Sequence, residues 1–82
     1  MEIGIKFHYD LEKYIEKYDK KNGIVIKVTR GENIKSIINR FIPMDAWGIA
    51  SVIVLVNKKI TSHQYQVNDG DIIEIFPVSG GG

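Results

Sequence analysis

The chain ends on "FPVSGGG", and the run Gly80, Gly81, Gly82 leaves the terminal carboxylate as its most usable reactive group. A carboxylate is a poor electrophile until one oxygen becomes a leaving group, so an enzyme that uses it must first adenylate or otherwise activate it. Glycines suit such a step, because without Cβ atoms they can thread a narrow channel and adopt backbone angles closed to other residues. They cannot stabilise a fold, because they bury no side chain and lose the most freedom on ordering. Two readings stand at this point, a tail without a role, as chain ends often are, or a tail that is the functional element. The glycines run directly out of the apolar stretch "DIIEIFPV" with no tag or protease-site sequence between, which argues against an appended scar.

The side chains offer no competing chemistry. His8 and His63 are far apart in sequence, each lacks a carboxylate at metal-ligand spacing, and each is expected on the surface or in a loop. Glu12 with Glu16 is a helix-face pair, and Asp69 with Asp71 brackets a turn. No phosphate-binding glycine loop, nucleophile elbow or metalloprotease helix motif occurs. With no cysteine, disulfides, thiolate metal sites and a cysteine nucleophile are excluded together.

Eighty-two residues with a net charge of +1 make one small domain with no electrostatic argument for nucleic acid or an anionic membrane. Lys17, Lys20 and Lys21 in "KYDKKNG" read as a solvated face beside a turn. No apolar run reaches membrane-span length, and "MEIGIKFHYD" lacks the order of a signal peptide, so a cytoplasmic location is expected.

The elements that must carry the tail follow from periodicity. Ile3, Ile5, Phe7 and Tyr9 alternate with Gly4, Lys6 and His8, the period of a half-buried strand. Leu11, Tyr14, Ile15 and Tyr18 recur at helical spacing, predicting a short helix or compact loop before Asn22-Gly23 turns the chain. Ile24, Ile26 and Val28 restore the strand period, so the first two strands are expected to pair as a hairpin. Ile34, Ile37, Ile38, Phe41 and Ile42 form one helical stripe, with Asn33 as N-cap and Pro43 as terminator. "SVIVLVN" predicts a strand, "KKITSHQYQVNDGD" an irregular segment ending in the Asp69-Gly70 turn, and Asp71 to Phe76 the final strand. One helix against one mixed sheet of four or five strands is an α+β layer architecture, with the outer strands expected as a hairpin from each chain end.

A sheet covered on one side should alternate, yet every residue from Val52 to Val56 is apolar. Val52, Val54 and Val56 point one way, Ile53 and Leu55 the other, and whichever set misses the helix lies on the open face beside Phe76 or Ile75. Either a loop covers that face or it docks a partner. Ordering a glycine tail costs roughly 1 to 2 kcal/mol per residue, which a docking surface on the body would offset.

The whole pattern resembles the β-grasp, ubiquitin-like sulfur carriers, the molybdopterin synthase small subunit (MoaD) and the thiamine-pathway carrier (ThiS). The resemblance rests on "IKFHYDLEKY" with Phe7 and Leu11, "RGENIKSII", "VLVNKKI" with Asn57 after the apolar strand, and "VNDGDIIEIFPVSGGG". It implies a β-grasp domain over 1–78 and a flexible glycine tail over 79–82. It further implies that Gly82 is adenylated with ATP by an enzyme of the ubiquitin-activating type and converted to a thiocarboxylate. Gly80 and Gly81 would share the tail, and Phe76, Pro77, Val78, Ile53 and Leu55 would dock the activating enzyme or the large subunit of a sulfur-accepting synthase. Such a protein is a co-substrate and not an enzyme, and binds no cofactor or metal itself. Val78 stands where MoaD commonly has a second proline, and the triple glycine is similar to some thiamine carriers, so the pathway stays open. Trimming of the third glycine would make Gly81 the reactive residue. A ubiquitin-like protein modifier and a β-grasp interaction module with incidental glycines are the competing readings.

Overall fold

The computed structural model describes residues 1–8, 23–41 and 52–77. Five strands and a helix follow in the order β1 (Glu2–Phe7), β2 (Ile24–Lys27), α1 (Ile34–Asn39), β3 (Val52–Val56), β4 (Lys59–Ile60) and β5 (Ile72–Pro77). They form one mixed sheet with strand order β2-β1-β5-β3-β4. β1 and β2 pair antiparallel as expected, whereas β5 is not an outer strand: it lies in the centre, parallel to β1 and antiparallel to β3. The C-terminal hairpin is instead β3 with β4.

Alternation decides which residues enter the core. Ile3, Ile5 and Phe7 of β1, Val52, Val54 and Val56 of β3, and Ile73 and Ile75 of β5 are all buried with Ile34, Ile37 and Ile38 of the helix. Phe7 meets Phe41 edge to face at 5.5 Å, a favoured aromatic geometry. The valine set of β3 therefore packs under the helix, and Ile75 belongs to the core and not to the open face.

Asn33 caps α1 as its residue type predicts, its side chain accepting from the Ser36 N–H at 2.9 Å. The helix is shorter than its apolar stripe. Its end tightens into i→i−3 bonds from Arg40 to Ile37 and Phe41 to Ile38, ahead of Pro43, which with Ile42 lies outside the described residues. Arg40 then ties the helix to the sheet by donating to the Lys27 carbonyl and the Glu32 carboxylate.

β4 replaces part of the segment expected to be irregular. Asn57 and Lys58 both have positive φ, 51° and 73°, which is the backbone a tight two-residue hairpin turn demands. Asn tolerates that conformation better than most residues, and here its side chain is held by β5 and the residue before it: the side-chain amide donates to Asp71 and the side-chain carbonyl accepts from the Ile72 N–H, each at 3.0 Å. The last strand consequently starts at Ile72, one residue later than alternation predicts, and runs through Pro77.

Candidate functional site

The face away from α1 is built by the out-of-core residues of all five strands. Ile53 sits opposite Phe76, and Leu55 sits between Glu74 and Ile60. Gly4 lies between Val25 and Ile72, where a Cβ would approach the Ile72 Cδ1 to 3.0 Å, so the missing side chain makes room for the isoleucine. Ile53 is 42% exposed, Ile72 45%, Val25 70% and Ile60 81%, a spread of large apolar side chains that no described residue covers. Of the two sets on β3, Ile53 and Leu55 thus occupy the open side, with Phe76 and not Ile75 beside them.

Within this apolar face sits one buried carboxylate, Glu74. A buried charge needs a partner, and Lys58 Nζ supplies one 3.5 Å from one Glu74 oxygen, while His8 Nε2 lies 3.5 Å from the other. His8 is more than the surface histidine its sequence context suggests. Its ring stacks on Phe76 with centroids 4.0 Å apart and planes 5° from parallel. Sequence reasoning missed this cluster because it depends on β1 lying beside β5, a pairing between chain ends that no local spacing reports. The only signal was the alternation that sets His8 with Lys6 on the polar side of the first strand pattern, one residue beyond the end of β1. His63 is unrelated to the face; its Nε2 lies 3.1 Å from the Val52 carbonyl.

At the start of β5, Asp71 gathers the strand's supports. It accepts from the Asn57 amide, the Tyr65 hydroxyl at 3.0 Å and the Asn68 N–H at 2.9 Å. Burial pushes its carboxyl up, but the bonds from Asn68, Asn57 and Tyr65 outweigh burial and leave it below the ordinary carboxylate range. Asp69 accepts from the Glu2 N–H at 2.8 Å, so both carboxylates of the pair hold backbone N–H groups. Glu12 and Glu16 lie outside the described residues, and among the described residues no group of three potential metal ligands occurs.

β5 leads from this anchored end across the centre of the sheet to Phe76 and Pro77. Val78, Gly80, Gly81 and Gly82 lie outside the described residues, as do Tyr9 to Tyr18 and the segment containing Trp47. The described geometry presents an apolar surface alongside the strand from which the tail departs.

A model of the ThiS family matches residues 13–82. The chain belongs to the ThiS family. This is a family of β-grasp, ubiquitin-like sulfur carriers that act as substrates and not as catalysts. Solved structures carry the same fold at low sequence identity. SAMP1 from Haloferax volcanii matches with a TM-score of 0.71 at 15% identity, over 100% of both chains. A structure described as subunit 1 of a molybdopterin converting factor from Pyrococcus furiosus matches at 0.69 with 17% identity, over 93% of this chain and 95% of that one. The complex of subunits 1 and 2 of molybdopterin-converting factor from Helicobacter pylori contains a chain that matches at 0.62 with 18% identity, over 100% of both. No curated protein sequence matches. No helix among the described residues is long and apolar enough to cross a membrane.

Proposed function

We propose that this ThiS-family protein carries sulfur on Gly82 as a terminal thiocarboxylate and delivers it in molybdopterin biosynthesis, for a molybdenum or tungsten cofactor. The observation that carries the reading is the family match, which runs through residue 82 and so includes the three glycines. In the reaction, the Gly82 carboxylate attacks ATP held by an adenylating enzyme of the ubiquitin-activating type. Pyrophosphate leaves, and the acyl adenylate forms. A sulfur nucleophile then displaces AMP, giving the thiocarboxylate, a better nucleophile than the carboxylate it replaces.

The body's part is docking. The open face around Ile53, Leu55, Phe76 and Pro77 would bind first the adenylating enzyme and then the large subunit of the synthase, with Val78 and the glycines reaching into each active site. The paired subunits of the Helicobacter pylori factor support a large-subunit partner. ATP belongs to the activating enzyme in this scheme.

The test is the intact mass of the chain after incubation with a cognate adenylating enzyme, ATP and sulfide. Replacement of one oxygen by sulfur at the last residue, dependent on ATP, is the expected result. An unchanged mass, with an enzyme that sulfurates its own known carrier, would remove that partner. Sulfur transfer to a molybdopterin precursor in the presence of the large subunit then tests the acceptor, and transfer to a thiamine precursor instead would move the chain to that pathway. A second reading, conjugation to lysines of other proteins, is favoured by the likeness to SAMP1, whose second structure is described as a small archaeal modifier protein. Lysine-linked conjugates dependent on the glycines would establish it.

A further inference from the structure

Phe76 is the last large apolar side chain before the described chain ends, and a side chain from the other end of the sequence stacks on its ring. The His8 imidazole lies flat against it, 4.0 Å between centroids and 5° between planes. The imidazole is itself constrained. The His8 backbone N–H donates to the Ile75 carbonyl at 3.0 Å, which anchors the residue on the central strand. Its Nε2 is enclosed and makes no hydrogen bond, and it faces the Glu74 carboxylate at 3.5 Å while Lys58 holds the other Glu74 oxygen. An enclosed ring nitrogen without a hydrogen bond costs stability, so the hydrogen-bonding of His8 does not explain the placement of its ring. The ring contact does.

We propose that His8 is a positioning residue for docking: it braces the Phe76 ring in the orientation that the adenylating enzyme meets where β5 leads into the glycine tail. The proposal rests on the sulfur-carrier reading above. Lys58, Glu74, His8 and Phe76 form one chain of contacts from the β3–β4 turn to the departure point of the tail. A phenyl ring fixed before binding loses less side-chain freedom on docking than one that must be ordered by the partner. The effect of His8 on binding is therefore exerted through Phe76.

Adenylation kinetics with the full chain as substrate of its cognate enzyme test this. His8→Ala is expected to raise KM about threefold to tenfold, the range an aromatic pair of this kind is worth, at unchanged kcat. In a Phe76→Ala background the same substitution is expected to leave KM where it is, because the ring to be braced is gone. Equal losses in both backgrounds would overturn the proposal, as would an unmoved KM in His8→Ala alone. Circular dichroism and the unfolding midpoint check that each variant is folded. Should His8→Ala fail to fold, His8→Phe keeps a stacking ring without the ionisable group. Its KM is expected within about twofold of wild type, and a loss of the full stacking range would overturn the proposal. A wild-type chain that is no substrate overturns the carrier reading and this inference together, whereas a good wild-type substrate indifferent to His8 overturns this inference only.

Discussion

Ile53 lies directly across the β3–β5 ladder from Phe76, one rung along from the buried Val54–Ile75 pair that faces the core. Adjacent rungs of one ladder thus serve different ends: one holds the sheet to the helix, the next presents apolar surface outward. Ile53→Thr separates the two, since it keeps the β-branch that favours strands and removes apolar surface only from the outer rung. The unfolding midpoint should stay close to wild type, while KM for adenylation rises about fivefold to tenfold. An unchanged KM would place docking on another face.

The tail should behave oppositely to the body. Gly81→Ala adds a single methyl to the glycine run, and its thermal midpoint should equal that of wild type. Adenylation should nevertheless fall at least about tenfold, because a misplaced reacting group loses the advantage of orientation. Normal sulfuration of this variant, read by intact mass, would refute the narrow-channel argument.

Two turn glycines make a matched stability test. Gly23 has φ +74°, and a Cβ there would stand 2.3 Å from the Ile5 carbonyl oxygen, a backbone atom that cannot move aside cheaply. Gly70 has φ +85° with nothing within 4 Å of its Cβ position. Gly70→Ala should therefore cost about 1 kcal/mol for the left-handed backbone alone, and Gly23→Ala more than about 2 kcal/mol. Urea unfolding of the two variants side by side reads the difference.

Acid should loosen the fold through Asp71 and Glu32. Burial raises the Glu32 carboxyl too, but bonds from Thr29 and Ser36 together with the Arg40 charge leave it lowered, as at Asp71. A lowered folded-state pKa means the unfolded chain takes up the proton first. The stability these groups contribute is full above the ordinary carboxylate range near about pH 4 and is lost as pH falls through their folded values. Asp71→Asn should cost about 1 to 2 kcal/mol near neutral pH, and its deficit against wild type should shrink as acid protonates Asp71 in the wild-type protein. A deficit independent of pH would mean that the carboxylate charge does not contribute.

Local periodicity made β1, β2, the capped start of α1 and β3 legible, because each depends on spacing within a few residues. The resemblance in the ordered motifs from Phe7 to the glycines made the fold family legible as well. The centre of the sheet was not, since the alternation of Ile72 to Phe76 is the same whether that strand is central or outer. Asn57-Lys58 hid the β4 hairpin, as a lysine at positive φ is not a turn signal. Ile53 and Leu55 could be assigned to one face from alternation, but only the ladder to Phe76 and Ile75 decides which face is open. The cluster of His8, Glu74 and Lys58 brings together residues from distant parts of the chain and carries no sequence motif.

The parallel pairing of β1 with β5 has a consequence for synthesis. The strand that completes the middle of the sheet is also the last of the five that the ribosome makes, so β1 and β3 must wait, each with an unsatisfied edge, until residues 72–77 emerge. Contacts this distant in sequence form slowly and leave the nascent chain open to mispairing until they close. A polypeptide released before Phe76 lacks the strand that joins its two halves. Cooperative folding therefore begins only once residues 72–77 have been made.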